Sequence, residues 1–152
     1  MKKETKFQKN GRDLNMVNEP IMAYLTSPLD NTSQMINYAR QGINMKYLSN
    51  LSEKLSLNLQ EIGNILHVSL RTLQRYAPTK VLDSDASSKV LNLASLQNHG
   101  IEVFGSEEAF ANWLKTEIPS LDNKTPLSYL DTPFGFQLID QTLGRIEHGL
   151  FA

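Results

Sequence analysis

The chain has no cysteine, and its sequence leads us to expect neither a secretory signal nor a membrane span. The absence of Cys from its 152 residues excludes a disulfide framework, a cysteine-based zinc site and a cysteine nucleophile. No apolar run approaches the length of a membrane span. The start, MKKETKFQKNGRDLN, is charged and has no apolar stretch behind it, so we expect no secretory signal. We therefore expect a cytoplasmic protein with no membrane partner.

Sequence patterns of catalysis and cofactor binding are also missing. His67, His99 and His148 lie far apart and form no HExxH-like pair, and there is no P-loop or dinucleotide-binding glycine pattern. Asp83 and Asp85, in LDSDASS, are better explained as a loop and helix N-cap than as paired catalytic carboxylates. We assign no catalytic residue, no metal ligand and no cofactor, and we expect that the protein is not an enzyme.

Charge is distributed unevenly along the chain. Residues 1–100 hold 12 basic and 8 acidic side chains, a net of +4, whereas residues 101–152 hold 3 and 8, a net of −5. Such asymmetry favours two tasks, one of them directed at an anionic partner, although charges of this size also fit an ordinary solvated surface.

Helix punctuation recurs along the chain and strand alternation does not, so we predict an all-α fold. Residues 1–17 are polar and basic and are expected to form a flexible arm. Residues 18–100 are predicted to form a compact helical bundle whose last helix ends at Gly100. Residues 101–152 are predicted to form a second, small helical domain.

The second domain is expected to begin with a short extended piece, IEVFG, followed by a helix that Ser106 caps. Thr125-Pro126 and Thr132-Pro133 each combine a capping hydroxyl with proline at the first helical position, which marks two further helix starts. Phe110, Trp113 and Leu114 have the spacing of core residues.

The segment LNLQEIGNILHVSLRTLQRY predicts a helix-turn-helix. A helix from about Leu59 to Leu66, a three-residue turn and a second helix from Leu70 match the spacing of this motif. Gly63 supplies the small residue that a close helix crossing requires. The glycine usual in the turn is replaced by His67, which must close the turn in the left-handed region or by another backbone geometry. The positions predicted to be buried are Ile62, Leu66, Val68, Leu73 and Tyr76.

The second helix of this motif has an exposed face suited to a DNA major groove. Arginine can pair with guanine O6 and N7 and glutamine with adenine N6 and N7, and hydroxyls suit phosphate oxygens. Residues 69–80 contain no acid that would repel phosphates. An ordinary solvated helix would explain the charges but not the pattern of buried positions that accompanies them. The predicted DNA-binding residues are Ser69, Arg71, Thr72, Gln74, Arg75 and Lys80. Because one such domain makes few contacts, we expect a homodimer on paired half-sites.

The last part of the chain resembles the toxin-binding domain of the Xre/MbcA/ParS antitoxin family. The matching segment is FANWLKTEIPSLDNKTPLSYLDTPFGFQLIDQTLGRIEHGLFA. The residues that carry the match are Trp113-Leu114, Pro126-Leu127, Leu130 with Thr132, Gly135, and Leu143-Gly144-Arg145-Ile146 with Gly149. Together with the helix-turn-helix, the resemblance extends over most of residues 33–152.

This resemblance implies the antitoxin of a type II toxin–antitoxin pair. The front domain would bind operator DNA and repress its own operon. The back domain would bind and neutralise a RES-domain toxin, whose family consumes NAD. The residues assigned to toxin binding are Arg145, Glu147, His148, Gly149, Leu150, Phe151 and Ala152.

Some interpretations stay open at this stage. The apolar tail after Gly149 either docks on its own domain or enters a cleft of the partner. Gly135 and Gly144, which lie within a helical stretch, indicate either close helix approach or a local break. A stand-alone helix-turn-helix regulator with a ligand-sensing C-terminal domain is the alternative function. An enzyme with an unrecognised active site is a weaker one, because no nucleophile, base and orienting group converge in the sequence.

Overall fold

The computed structural model describes residues 31–150 of the chain. The predicted arm at residues 1–17 and the tail residues Phe151 and Ala152 lie outside the described residues. Within the described range the chain is helical and forms no strand, with only isolated bridges at Asn44–Val81 and Ile118–Lys124. The prediction of an all-α fold is confirmed.

Seven α-helices and two 3-10 helices follow one another within residues 31–150. The α-helices are α1 (Asn31–Gln41), α2 (Met45–Lys54), α3 (Leu59–Leu66), α4 (Leu70–Arg75), α5 (Ser84–Phe104), α6 (Glu107–Leu114) and α7 (Pro133–Glu147). The 3-10 helices are η1 (Pro119–Leu121) and η2 (Pro126–Tyr129).

Helix α5 is the element around which the others pack. Its 21 residues correspond to a length of about 31 Å. It contacts α1 and α3 on the front part of the chain and α6 and α7 on the back part. Val90, Leu91 and Leu93 are fully or almost fully buried along it, and they belong to one hydrophobic core that continues into the back part. The two predicted domains therefore share a helix and a core.

The predicted helix end at Gly100 is wrong, and so is the extended piece IEVFG. Helix α5 continues through both to Phe104 and ends at Gly105, which has the left-handed φ of 84°. Position 100 requires glycine for a different reason, because a Cβ atom there would lie 2.2 Å from Cδ2 of Phe110. The glycine allows the ring of α6 to pack directly on the backbone of α5. The boundary predicted at residue 100 thus falls inside a continuous helix.

Local capping explains where most helices begin. Asn44, Asp83, Ser106 and Thr132 each accept a hydrogen bond from a backbone N–H in the first turn of the helix that follows. Pro133 occupies the first helical position of α7, as predicted. The corresponding Thr125-Pro126 start forms only the 3-10 helix η2, without a side-chain cap.

The aromatic residues of α6 form a core with the end of α5. Phe110 and Leu114 are completely buried, as predicted. Trp113 is only half-buried and packs against Phe104, with ring centroids 5.3 Å apart, and against Phe110 at 6.1 Å. These contacts hold the short helix α6 on α5.

Polar contacts also join the front and back parts of the chain. Lys54 of α2 forms an ion pair with Glu107 of α6, with Nζ and Oε1 3.5 Å apart. Lys115 pairs with Glu61 of α3 at 3.3 Å and donates a hydrogen bond to the carbonyl of Ser56. All these ion-pairing side chains are partly exposed, so each pair contributes little to stability, on the order of 0–1 kcal/mol. Their effect is to orient α6 against α2 and α3.

Candidate functional site

Helix α3 begins with a reciprocal cap that fixes the first helix of the helix-turn-helix. The side chain of Asn58 accepts a hydrogen bond from Glu61 N at 2.9 Å, and Glu61 Oε2 accepts one from Asn58 N at 2.8 Å. This capping box satisfies two backbone donors at the helix start.

The turn closes by one of the two geometries that the sequence left open. His67 has φ 55° and ψ 40°, the left-handed conformation in place of the usual glycine. Its Nε2 lies 2.6 Å from the carbonyl oxygen of Asp131, and because a carbonyl only accepts, Nε2 carries the proton and donates it. The turn is thus hydrogen-bonded to the loop that precedes α7.

Gly63 lies at the predicted close crossing of the motif. A Cβ atom at this position would lie 2.6 Å from the backbone oxygen of Val68 and 3.6 Å from Cδ1 of Leu73. Any side chain would push α3 away from the turn. Ile62, Leu66 and Leu73 are buried, as predicted, whereas Val68 and Tyr76 are half-buried and pack at the edge of the core.

Ser69 is the N-cap of helix α4, and its hydroxyl forms hydrogen bonds within the helix itself. Its Oγ accepts a hydrogen bond from Thr72 N at 3.1 Å and lies 2.8 Å from the Thr72 hydroxyl oxygen. Both hydroxyls stay at the surface, with Ser69 exposed and Thr72 half-buried. The hydrogen bonds between Ser69 and Thr72 rigidify the N-terminal end of α4, which is the end that a recognition helix would insert first into a major groove.

The remaining side chains predicted to bind DNA lie together on one exposed surface. Arg71, Gln74 and Arg75 project from α4, and neither arginine forms an ion pair within residues 31–150. Lys80 lies beyond the helix, with Nζ 5.4 Å from the centroid of the Tyr76 ring. Its backbone oxygen accepts a hydrogen bond from Met45 N at 2.9 Å, which fixes this loop on α2. We refer to Ser69, Arg71, Thr72, Gln74, Arg75 and Lys80 as the cationic face.

A second surface is built on α7. Thr132 caps this helix by accepting a hydrogen bond from Gly135 N at 3.1 Å. A Cβ atom at Gly135 would lie 1.6 Å from the carbonyl oxygen of Tyr129, so the predicted close approach is present there. Ile139 and Leu143 are completely buried and attach the helix to the core. Gly144 differs, because a Cβ atom there would meet nothing within 4 Å.

One side of α7 is held to α5 by a histidine between two carboxylates. His99 Nδ1 lies 2.7 Å from Asp140 Oδ1, and its Nε2 lies 3.4 Å from Glu147 Oε2. Burial by itself lowers the pKa of His99, but the hydrogen bonds and negative charges of Asp140 and Glu147 outweigh it and raise the pKa above 6.5. Glu147, assigned to toxin binding from the sequence, is therefore engaged with α5.

The other assigned residues of the C-terminal end lie at the surface. Arg145 and His148 are exposed on α7 and its C-cap, and Arg145 has no ion pair among the described residues. Gly149 has φ 69° and ends the helix, as predicted. Leu150 is 63% exposed and lines an apolar cleft of about 290 Å³. The other lining residues are Phe104, Ile118, Ser120, Leu121, Leu138, Thr142, Arg145 and Ile146.

Phe134 was not singled out by the sequence, although its side chain is 83% exposed. It occupies the second position of α7, directly after Pro133. The helical period of the buried residues Phe136, Ile139 and Leu143 could have revealed that it points away from the core.

A larger cleft of about 630 Å³ separates α3 and the turn from the segment 125–131. His67 and Asp131, which are hydrogen-bonded, lie at one end of it. Gln60, Asn64, Thr125 and Ser128 contribute polar walls. No three His, Cys, Asp or Glu side chains of residues 31–150 are placed to hold a metal ion. None of the helices in that range is long and apolar enough to cross a membrane.

Comparison with known proteins identifies both parts of the chain. Residues 34–95 match the family described as an antitoxin Xre-like helix-turn-helix domain, and residues 99–149 match the antitoxin Xre/MbcA/ParS C-terminal toxin-binding domain. A protein named antitoxin Xre from Photorhabdus laumondii is 30% identical over 92 residues, which is 59% of this chain and 62% of that protein. The chain thus matches somewhat less than two thirds of that relative.

A second protein named antitoxin Xre, from Yersinia enterocolitica, is 21% identical over 127 residues, or 82% of this chain and 86% of that protein. The two family matches follow each other without overlap and meet within α5. The chain belongs to the Xre-type antitoxin family, with a helix-turn-helix domain followed by a toxin-binding domain.

Proposed function

We propose that this protein is the antitoxin of a type II toxin–antitoxin pair, which neutralises a RES-domain, NAD-consuming toxin and represses its own operon. The observation that carries the proposal is the order of the two matched domains, each with an exposed surface suited to its task. The protein itself catalyses no reaction in this scheme.

The cationic face contacts the operator. Arg71, Gln74 and Arg75 enter the major groove and read base edges, at roughly 1–3 kcal/mol of discrimination for each good bidentate pair. Ser69, Thr72 and Lys80 contact phosphates. The absence of an ion pair to either arginine within the described range supports this role, because neither guanidinium would have to give up a partner to bind DNA.

The repressor binds as a homodimer. A single α4 presents few base contacts, and helix-turn-helix proteins gain affinity when two copies occupy half-sites about 34 Å apart. DNase footprinting of the upstream region of the gene tests this, since a dimer protects two half-sites one helical turn apart and a monomer protects one.

The C-terminal end contacts the toxin. We assign Arg145, His148, Gly149 and Leu150 to this contact, with Phe151 and Ala152 continuing from Leu150, and Glu147 supporting it from the side held by His99. Burial of an apolar side chain such as Leu150 in a partner stabilises a complex by roughly 1.5–3 kcal/mol.

Co-expression with the protein encoded by the adjacent reading frame, which this proposal expects to be a RES-domain toxin, tests the toxin-binding role. We expect a complex on affinity capture and gel filtration, restored growth, and NAD levels that return to those of cells without toxin. Deletion of Leu150–Ala152 is expected to weaken neutralisation and to leave operator binding unchanged. Absence of any complex with the wild-type chain would contradict the antitoxin role.

A stand-alone regulator is the second candidate, and the cleft of about 630 Å³ beside the turn favours it. A small molecule bound there would contact α3 and the segment 125–131 together and so alter the position of α4. This candidate predicts operator binding that depends on a ligand and no toxin partner. Operator titration with purified protein before and after addition of a cell metabolite extract distinguishes it from the antitoxin.

A further inference from the structure

Phe134 is the most exposed large apolar side chain of the described residues, and it is held on a rigid element. Its side chain is 83% exposed. The cap from Thr132 and the close approach of Gly135 to Tyr129 fix the backbone on both sides of it. Because the helix start is fixed, the backbone cannot rotate locally to carry the ring toward the core. An apolar ring displayed in this way stabilises nothing within the described protein.

Phe134 lies on the same side of α7 as Gln141 and as two residues assigned to toxin binding, Arg145 and His148. Gln141, Arg145 and His148 follow it by seven, eleven and fourteen residues, close to two, three and four turns of an α-helix. All of them are exposed. We call this stripe, from Phe134 to His148, the outward face of α7.

The outward face is bordered by two different surfaces. On one border, Asp140 and Glu147 each direct one carboxylate oxygen to His99. On the other border lies the apolar cleft of about 290 Å³, which Leu138 and Leu150 line. Phe134 and Leu138 are four residues apart and therefore adjacent on the helix surface. The apolar surface thus runs from the ring into the cleft.

Gly144 lies beside this stripe and has no packing role within the described residues. A Cβ atom there would meet nothing within 4 Å. Glycine in a helix interior is unfavourable by about 1 kcal/mol relative to alanine. Where nothing inside the chain requires it, the missing side chain leaves the helix backbone open to close approach by another molecule.

We propose that the outward face of α7 is the docking surface for the toxin, with Phe134 as its anchor at the end opposite the tail. The toxin covers the Phe134 ring with an apolar patch, inserts an apolar side chain into the cleft, and places a carboxylate or carbonyl oxygen at Arg145. Its backbone approaches α7 at Gly144. This inference rests on the proposed antitoxin function. It extends the toxin contact from the C-terminal tail along the whole of α7.

The toxin is the occupant that the observations favour. The outward face lies within residues 99–149, the segment that matches a toxin-binding domain, and it is continuous with Leu150. Arg145 has no ion pair among the described residues, so it is available for an anionic group of the partner. Aromatic and arginine side chains are the residue types on which protein interfaces most often depend.

The first test replaces Phe134 with alanine in the full-length protein. Affinity for the toxin that co-purifies when the protein of the adjacent reading frame is co-expressed is measured by biolayer interferometry. We expect Phe134→Ala to weaken binding by about tenfold or more. The melting temperature of the free variant is expected to stay that of the wild type, because the ring has no partner to lose. Ile36→Ala, which removes a 45% exposed apolar side chain from α1, is the matched control and should leave toxin affinity unchanged.

Gly144→Ala separates binding from folding. Its Cβ has free space, so we expect the variant to melt about 2 °C higher than the wild type because of its better helix propensity. Toxin binding should nevertheless weaken by about fivefold, since the methyl group occupies the space where the partner backbone lies. A variant that is more stable and yet binds less tightly is not explained by misfolding.

The outcomes separate this inference from the proposed function. If the wild-type chain binds the toxin and both variants bind equally well, the docking surface is refuted and the antitoxin role stands. If the wild-type chain binds no toxin, both are refuted. If Phe134→Ala dissociates a homodimer on gel filtration and leaves toxin affinity unchanged, the outward face joins two copies of this chain and the proposal is overturned.

Discussion

Gln97 of α5 allows a direct test of what a buried polar side chain costs the shared core in stability. Its side chain is completely buried, and within the described residues neither Oε1 nor Nε2 has a hydrogen-bond partner. A buried polar group without a partner costs roughly 1–3 kcal/mol, because it loses its hydrogen bonds to water and gains none in the protein. Gln97→Met has a similar length and no hydrogen-bonding requirement. We therefore expect the variant to be more stable by about 1–3 kcal/mol.

The assay is urea unfolding followed by circular dichroism, with the midpoint and slope fitted separately. We expect a higher urea midpoint with an unchanged slope. In thermal unfolding, each kcal/mol of added stability would raise the melting temperature of a chain of this size by about 2–4 °C. Gln137→Met, at an exposed position of α7, is the control and should change stability by less than about 0.5 kcal/mol. Destabilisation by Gln97→Met would refute the reasoning and show that the amide is hydrogen-bonded in the folded protein.

Three further predictions concern the helix-turn-helix and the link between α5 and α7. Arg71→Ala should weaken operator binding by roughly 1–3 kcal/mol and relax the preference at one base. Lys80→Ala should instead weaken binding to operator and random DNA alike. If Arg71→Ala weakened binding to both DNAs equally, Arg71 would not be a base-reading residue. Gly63→Ala should destabilise the protein and weaken operator binding, because its Cβ would lie 2.6 Å from the Val68 oxygen; wild-type melting would contradict this. Because the pKa of His99 is raised in the folded state, its contribution to the free energy of unfolding is complete below pH 6.5 and is lost as the pH rises through the folded value. His99→Asn should flatten that pH dependence in urea titrations, and an unchanged profile would argue against the carboxylate contacts.

Features that depend on neighbouring residues were predictable from the sequence. The helix-turn-helix, with its bounds at Leu59–Leu66 and its second helix from Leu70, was predicted correctly, because the motif is defined by spacing and apolar positions. The caps at Ser106 and Thr132 were also predicted, since capping acts within a few residues. The left-handed conformation of His67 was one of two geometries that the sequence left open. The two-domain order followed from the resemblance, and the family matches confirm it.

The errors arose where one sequence signal has two structural causes. Glycine after an apolar helical pattern marks either a helix end or a close approach, and at Gly100 the deciding atom belongs to Phe110 of the next helix. For Gly135 and Gly144 the sequence left close approach or a local break open. Tyr129 lies against Gly135, so close approach is the cause there. At Gly144 the helix runs unbroken to Glu147 and no atom of the described residues outside this helix lies within 4 Å of the Cβ position, so neither cause is present there.

The sequence by itself determined the all-α class, the helix-turn-helix and the caps at Ser106 and Thr132, because local geometry and helical period specify them. Only the tertiary structure decided that α5 runs through both domains, that His99 pairs with Asp140 across 41 residues, and that no neighbouring element of the described residues covers the Phe134 ring. Such contacts depend on how helices far apart in the chain pack together. Packing of α7 on the core buries Phe136 and Ile139 and, by the same helical geometry, turns Phe134 outward.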